Sequence, residues 1–199
     1  KNFKDRILLL TPVHSVTRIK NKINISYGSL ERKEEVFDSV IFATHSNQSL
    51  KILNDPSELE KTILGSLPYQ KNDAILHYDE SILPKRKNAW SSWNYLLDKD
   101  STKPISLTYN MNILQSLSSS RTFCVSLNSK DLIDPNKILK HLNYEHPLFT
   151  LEGLKAQKRK HEISGKRNTF YCGAYWRNGF HEDGVVSALD VCKNFGEEL

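Results

Sequence analysis

Near its C-terminus the chain runs Thr169-Phe-Tyr-Cys-Gly-Ala-Tyr-Trp-Arg-Asn-Gly-Phe-His-Glu-Asp-Gly-Val-Val-Ser-Ala-Leu-Asp-Val-Cys192. Few folds accommodate that succession. Phe170, Tyr171 and Cys172 form an apolar run that stops at Gly173, as expected of a strand covered on both faces of a parallel sheet. Gly179 and Gly184 punctuate a loop. Beyond Gly184 the apolar residues fall at Val185, Ala188, Leu189, Cys192 and Phe195, one face of a helix. Open α/β sheets bind their ligands at the carboxyl end of a parallel strand, where a loop feeds a helix N-terminus. Unpaired N–H groups and a partial positive charge at that end favour a phosphate or a reduced, anionic ring.

The rest of the chain reads as strands with a few helices, so the fold class expected is α+β. Residues 7 to 45 are strand-like. Ile7 to Leu10 is apolar, Val13, Val16 and Ile19 lie near the Thr11-Pro12 break, and Ile23, Ile25 and Tyr27 alternate with polar residues. Gly28-Ser29 turns the chain, and Val36 to Ala43 is a further apolar run. Ser46 caps a short helix over 47–53, and Pro56 starts another with Leu59, Ile63 and Leu67 on one face. Strand candidates follow at Ala74–Tyr78, Trp90–Leu97, Ile105–Tyr109 and Thr122–Leu127, with turns at 98–104 and 116–121. Strands in series predict an antiparallel sheet. Asp134-Pro135 is expected to open a helix with Ile138, Leu139 and Leu142 inward. Lys155 to Gly165 reads as a basic, polar connector.

The composition is that of an ordinary globular protein: 199 residues, 38% hydrophobic and 26% charged. No apolar run approaches the roughly 20 residues that cross a bilayer. Three separated cysteines with no Cys-x-x-Cys pair imply reduced thiols and a cytoplasmic location. The seven histidines form no His-x-x-x-His pairing, so no metal site is expected. Net charge is +5, with basic clusters at 85–87 and 155–161. Without a nucleic-acid-binding motif, this charge reads as a solvated face, or as attraction to anionic lipid or cofactor phosphates, rather than a nucleic-acid site.

Five ordered blocks carry a resemblance. They are Phe37-Asp-Ser-Val-Ile-Phe-Ala-Thr-His-Ser46, Ala89-Trp-Ser-Ser-Trp-Asn-Tyr95, Thr108-Tyr-Asn-Met-Asn-Ile-Leu-Gln115, His146-Pro-Leu-Phe149 and Gly173-Ala-Tyr-Trp with Gly179-Phe-His-Glu-Asp-Gly-Val-Val-Ser-Ala188. Together they resemble the FAD-dependent amine-oxidase and phytoene-desaturase superfamily, nearest to its bacterial branch of NAD/FAD-binding proteins. The resemblance implies a β-meander and a C-terminal strand–helix of a Rossmann-type FAD domain at 1–55 and 150–199. It implies an antiparallel substrate-domain sheet at 56–149. The Gly-x-Gly-x-x-Gly turn that opens such flavoproteins is absent from the eight glycines. The chain is therefore expected to be the C-terminal half of a longer flavoprotein, partnered by the missing half or by itself. The function implied is two-electron transfer from a small apolar substrate, an amine or an acyl lipid, to FAD. The rival reading is a non-enzymatic basic module that binds nucleic acid or an anionic partner.

Site residues follow from the same resemblance. Asp183, Gly184, Val185 and Val186 start the last helix, and their N–H groups are expected at the flavin N1–C2=O edge; an ordinary capped helix is the plain alternative. Glu182 and Asp183 would repel a phosphate there and instead accept from ribityl hydroxyls or cap the helix. Gly173 and Ala174 are small for close flavin approach or for tight strand–helix packing. Val13, Ala43 and Thr44 match adenine-side contacts, with core packing an equal explanation for Val13 and Ala43. Tyr175, Trp176, Phe180 and His181 lie in the loop expected to face the flavin. His181, Trp93 and Tyr109 are the catalytic candidates: His181 as a proton carrier, Trp93 with Tyr95 as an aromatic wall. Asn110, Asn112 and Gln115 line a pocket or form turns.

Overall fold

The computed structural model describes residues 3–97 and 105–197. The chain divides into two compact units, Lys1–Tyr69 with Pro147–Leu199, and Gln70–His146. The sequence boundaries at 55/56 and 149/150 thus shift inward on the second unit. The helix after Pro56 packs within the first unit and takes its residues there.

In the first unit, β1 (Val13–Ile19), β2 (Lys22–Tyr27) and β3 (Lys33–Phe37) form an antiparallel meander, as the alternation predicts. β4 (Val40–Phe42) then pairs in parallel with the distant β10 (Thr169–Tyr171). Helix α1 (Ser46–Ile52) starts one residue earlier than expected, with His45 rather than Ser46 at its N-cap. Helix α2 (Glu58–Gly65) opens on a reciprocal capping box. The Ser57 hydroxyl accepts from the Glu60 N–H at 3.2 Å, and the Glu60 carboxylate accepts from the Ser57 N–H at 2.8 Å. Ile63, Leu64 and Leu67 from this region join Val16, Ile23, Phe42, Leu53, Ile163 and Tyr171 in the core. Ile7 to Leu10 is not a strand: its four side chains are exposed, and Leu10 adopts a positive φ of 52°. The start of the 155–165 stretch is not a connector either but the end of a helix. That helix is α4 (Leu151–Lys158), capped by the Thr150 hydroxyl accepting from the Gly153 N–H at 3.0 Å.

Across β1, α2 and β10 runs a buried polar network that periodicity alone does not announce. The Arg18 guanidinium donates to both oxygens of Glu60 and, at 2.9 Å, to the Thr169 hydroxyl. Tyr171 donates to Glu60 at 2.8 Å. The Arg18 and Glu60 side chains are 2% and 4% exposed. Burial pushes the Glu60 carboxyl up, but the Ser57 N–H, Arg18 and Tyr171 together hold it below the usual carboxylate value.

The second unit is a five-stranded sheet in the order β6 (Trp93–Leu96), β7 (Ser106–Asn110), β8 (Cys124–Leu127), β5 (Tyr69–His77), β9 (Ile138–Pro147). The pairs β6–β7, β7–β8 and β8–β5 are antiparallel. The short α3 (Met111–Leu114) follows β7, and α5 (His181–Cys192) closes the chain in the first unit. The turn at 98–104 lies outside the described residues. The helix expected after Pro135 is a correction. Asp134 caps only one 3-10 turn, Pro135–Lys137, and the chain then extends as β9. Beside β5 a strand gains a ladder of backbone hydrogen bonds, and that tertiary gain overrides the Asp-Pro start signal.

Candidate functional site

β4 and β10 run the same way, so the loops that leave them share one end of the pair. The Cys172 N–H donates to the Phe42 carbonyl at 2.9 Å there. Ala43 and Thr44 leave from β4, and Gly173 and Ala174 from β10, so these four candidates do come together. No recorded contact brings Val13, 42% exposed at the start of β1, to them. The Thr44 hydroxyl is turned onto α1, 2.9 Å from the Ser49 hydroxyl.

Gly173 has φ +152°, and a Cβ on it would stand 2.5 Å from the Tyr175 ring. Its glycine is therefore explained inside the chain. After it comes one tight turn, Ala174–Trp176, whose two aromatic rings point inward. Tyr175 and Trp176, in the loop expected to face the flavin, are 4% and 6% exposed and belong to the core. Among the described residues the Tyr175 hydroxyl and the Trp176 Nε1 are buried with no hydrogen-bond partner of good geometry. Burial pushes the Tyr175 hydroxyl far up, so it stays protonated.

Two side chains that sequence reading missed hold this loop. Gln157 of α4 donates to the carbonyls of Tyr175 at 2.9 Å and Arg177 at 2.7 Å. Ser187 of α5, 1% exposed, accepts from the Gly173 N–H and from the Lys160 ammonium, both at 3.1 Å. Burial lowers Lys160 below the usual lysine value, against the pull of Asp190. A polar residue on the inner face of an amphipathic helix was the available signal for Ser187.

Helix α5 begins at His181, two residues before Asp183. The Asp183 carboxylate accepts from the Phe180 N–H at 3.0 Å, so Asp183 caps its own helix. The N–H groups of His181, Glu182 and Asp183 have no protein acceptor among the described residues, as the first turn of a helix leaves them. His181 and Glu182 are exposed, and Val185 is 50% exposed. The inward face is Ser187 and Val191, shifted from the Val185 stripe that periodicity suggests. A Cβ on Gly184 would sit 3.9 Å from the Ala174 nitrogen and 4.0 Å from its Cβ, in ordinary contact.

In the second unit the register puts Trp93, Tyr95, Tyr109, Leu107, Val125 and Leu127 on one face of the sheet. The Trp93 and Tyr109 rings meet edge-on at 5.4 Å, and Trp93 and Tyr95 are 45% and 58% exposed. Burial and the neighbouring Tyr95 push the Tyr109 hydroxyl up. Trp90 stands outside β6, its Nε1 donating to the Pro84 carbonyl at 2.8 Å. Asn110 and Asn112 make turns: their side chains accept from the Ile113 and Phe123 N–H groups. Gln115 ends α3. His181 belongs to the first unit, Trp93 and Tyr109 to the second. Among the described residues no three His, Cys, Asp or Glu side chains group as metal ligands. No helix is long and apolar enough to cross a membrane.

No family model and no curated protein matches the chain. Solved structures do. A putrescine oxidase triple mutant, from a redesign of its cofactor binding, aligns over 98% of this chain and 50% of its own, with TM-score 0.62 and 11% identity. Cyclohexylamine oxidase from Brevibacterium oxydans IH-35A aligns over 98% and 50%, with TM-score 0.57 and 10% identity. A CLA-producing fatty acid isomerase from P. acnes aligns over 93% and 47%, with TM-score 0.57 and 12% identity. What is shared is the fold. The chain spans about half the length of each of these structures and takes the mixed α/β form of that half, antiparallel sheets included.

Proposed function

We propose that this chain is the C-terminal part of an FAD-dependent oxidoreductase of the amine-oxidase superfamily, moving two electrons from an apolar amine or acyl lipid to the flavin. The observation that carries the reading is the alignment of nearly the whole chain with two amine oxidases and a fatty acid isomerase. Amines and a fatty acid, the two substrate classes expected from the sequence, are also those named for these structures. The fold alone does not specify chemistry, so the local fit matters. Gly184 lies inside a helix, where glycine costs about 1 kcal/mol relative to alanine. A Cβ there would meet Ala174 only at ordinary contact distance, so packing does not require the glycine, and close approach of a ligand does.

The residues present fit a flavin. When bound, FAD supplies the two-electron acceptor. In this chain the backbone of Ala174, Gly184, Val185 and Val186 would hold the ring edge, and Ala43 and Thr44 the adenine side. The free N–H groups of the first turn of α5 favour negative charge on that edge. Glu182 disfavours a phosphate there. His181, exposed at the helix start, is the chain's candidate to move a proton. The face bearing Trp93, Tyr95 and Tyr109 is the proposed wall of the apolar substrate site, excluding water from the reacting carbon. A Rossmann-type sheet completed by further polypeptide, a cytoplasmic location, and peripheral contact of the basic residues with anionic lipid belong to the same reading.

The test is the full-length natural gene product. It is expected to purify yellow and to release free flavin on acid denaturation, because no cysteine lies in the loop beyond Gly173. A colourless protein, folded and intact, would remove the cofactor from this account.

A further inference from the structure

The core of the second unit contains a polar cluster beside Ile75. On the sheet face turned away from Trp93 and Tyr109 stand His77 of β5, Cys124 and Ser126 of β8, and Thr108 and Asn110 of β7. None is more than 2% exposed, and His77 is at 0%. Its ring has one arrangement only. Nδ1 accepts the Asp79 N–H at 3.1 Å, so the proton sits on Nε2 and is donated to the Ser126 hydroxyl at 2.8 Å. Ser126 in turn shares a hydrogen bond with the Thr108 hydroxyl at 2.7 Å. Three adjacent strands are thus joined through one neutral imidazole.

A second proton on that ring has nowhere to point. It would sit on Nδ1, facing the Asp79 N–H, donor against donor. The surrounding charges are already engaged. The Asp79 carboxylate accepts from the Ser81 and Asp134 N–H groups at 3.1 and 2.9 Å and from the Lys137 ammonium at 3.0 Å. Glu80 takes the Thr122 hydroxyl at 2.6 Å and lies 3.5 Å from Lys87. The adjacent Cys124 thiol is pushed up to about 12 by burial and so carries no charge.

We propose that His77 is an acid-sensitive latch: its protonation in mild acid releases the second unit while the first remains folded. Burial holds its proton affinity below the usual histidine value, against the pull of Asp79. The ring is therefore neutral in the folded unit, while the unfolded chain binds a proton near pH 6.5. The stabilisation is full above that pH and declines as pH falls below it. The carboxylates act lower. Asp79 and Glu60 are held below ordinary values near 4, so their contributions are lost only in stronger acid. Between about pH 6.5 and 4.5 the latch acts apart from these buried carboxylates. β7 also carries Tyr109 on its other face and pairs with β6, which carries Trp93 and Tyr95, so acid would dismantle that aromatic wall first. That regulatory consequence rests on the function proposed above; the latch itself does not.

The test uses the 199-residue chain. Two of its three tryptophans, Trp90 and Trp93, lie in the second unit. A Trp176→Phe background therefore confines fluorescence to it. Urea unfolding from pH 7.5 to 5.0 should show the unfolding equilibrium constant rising toward tenfold per pH unit below 6.5, one proton's worth. His77→Gln, which stays neutral, should remove that slope. Ser126→Ala should lower stability at every pH and keep the slope. Should His77→Gln not fold, the imidazole nitrogen shifts of the unsubstituted chain decide. They should show an Nε2–H ring at pH 7.5 that does not titrate before the unit opens. Equal slopes with and without His77, or a folded ring that titrates near pH 6.5, would overturn the latch. Flavin enters neither measurement, so failure of the FAD reading and failure of the latch are separate results.

Discussion

At the scale of single residues, two glycines with the same apparent signature have opposite causes. Gly173 is forced by its own chain, through a positive φ and the Tyr175 ring beneath it. Gly173→Ala is expected to destabilise the first unit by about 1–3 kcal/mol for the backbone alone, read as a lower thermal midpoint. Gly184 is unforced. Gly184→Ala should raise helix stability by about 0.5–1 kcal/mol, while Gly184→Val in the full-length flavoprotein should lower flavin occupancy at matched stability. Unchanged occupancy would place the flavin elsewhere. The Arg18–Glu60–Tyr171 cluster is a third case. Glu60→Gln leaves the buried Arg18 cation with only the more distant Asp55 carboxylate, 3.7 Å away, and should cost about 3–5 kcal/mol. Glu60 is depressed in the folded state, so its stabilisation is present above about pH 4.5 and is lost as pH falls through its lower folded value. Acid unfolding of the first unit, followed by circular dichroism, should therefore begin below that pH and shift upward in the variant. The Arg18 partnership was half legible. Alternation puts Arg18 on the face of Val16, but nothing local says that its partner is 42 residues away.

Among the elements, periodicity found those whose own residues decide their conformation. β1, β2, α2, β7, β8, β10 and α5 stand where alternation or helical spacing puts them, to within a few residues, while the single run read at 36–43 divides between the end of β3 and β4. β9 and α4 do not. β9 is extended because β5 offers a ladder, and α4 is helical because Gly153 and Ala156 bury against the first unit's core despite its basic exposed face. Within the sheet of the second unit, the face bearing Trp93 was legible from alternation in β6. The polar latch behind it was not, since Thr108, Ser126 and His77 look like solvent-facing positions until both sheet faces are known. Trp93 is 45% exposed, and truncating it leaves no enclosed cavity. Trp93→Ala should therefore shift the thermal midpoint little, and in the full-length enzyme it should raise KM for an apolar substrate more than it changes flavin content. A variant that simply unfolds would make Trp93 part of the core.

For the whole molecule the question is whether the cofactor site is contained in this chain. One helix N-terminus contributes only about 0.3–1 kcal/mol toward a nearby charge, and micromolar affinity needs about 8 kcal/mol. The few backbone contacts at Ala174, Gly184 and Ala43 do not approach that sum. Isothermal titration of the 199-residue chain with FAD is expected to show no micromolar binding; a micromolar or tighter dissociation constant would show that the site is whole. Exposed Leu8, Leu9, Leu10, Leu30 and Ile41 leave apolar surface on the first unit, so its sedimentation should depend on concentration. By itself the sequence determined where the strands and most helices lie and which loop follows the parallel strand, because hydrophobic period and glycine placement are local properties. Only the tertiary structure decided which glycine is free, which aromatics turn inward, and which buried charges and imidazole find partners. Those outcomes depend on atoms brought together from distant parts of the chain, and no local pattern encodes them.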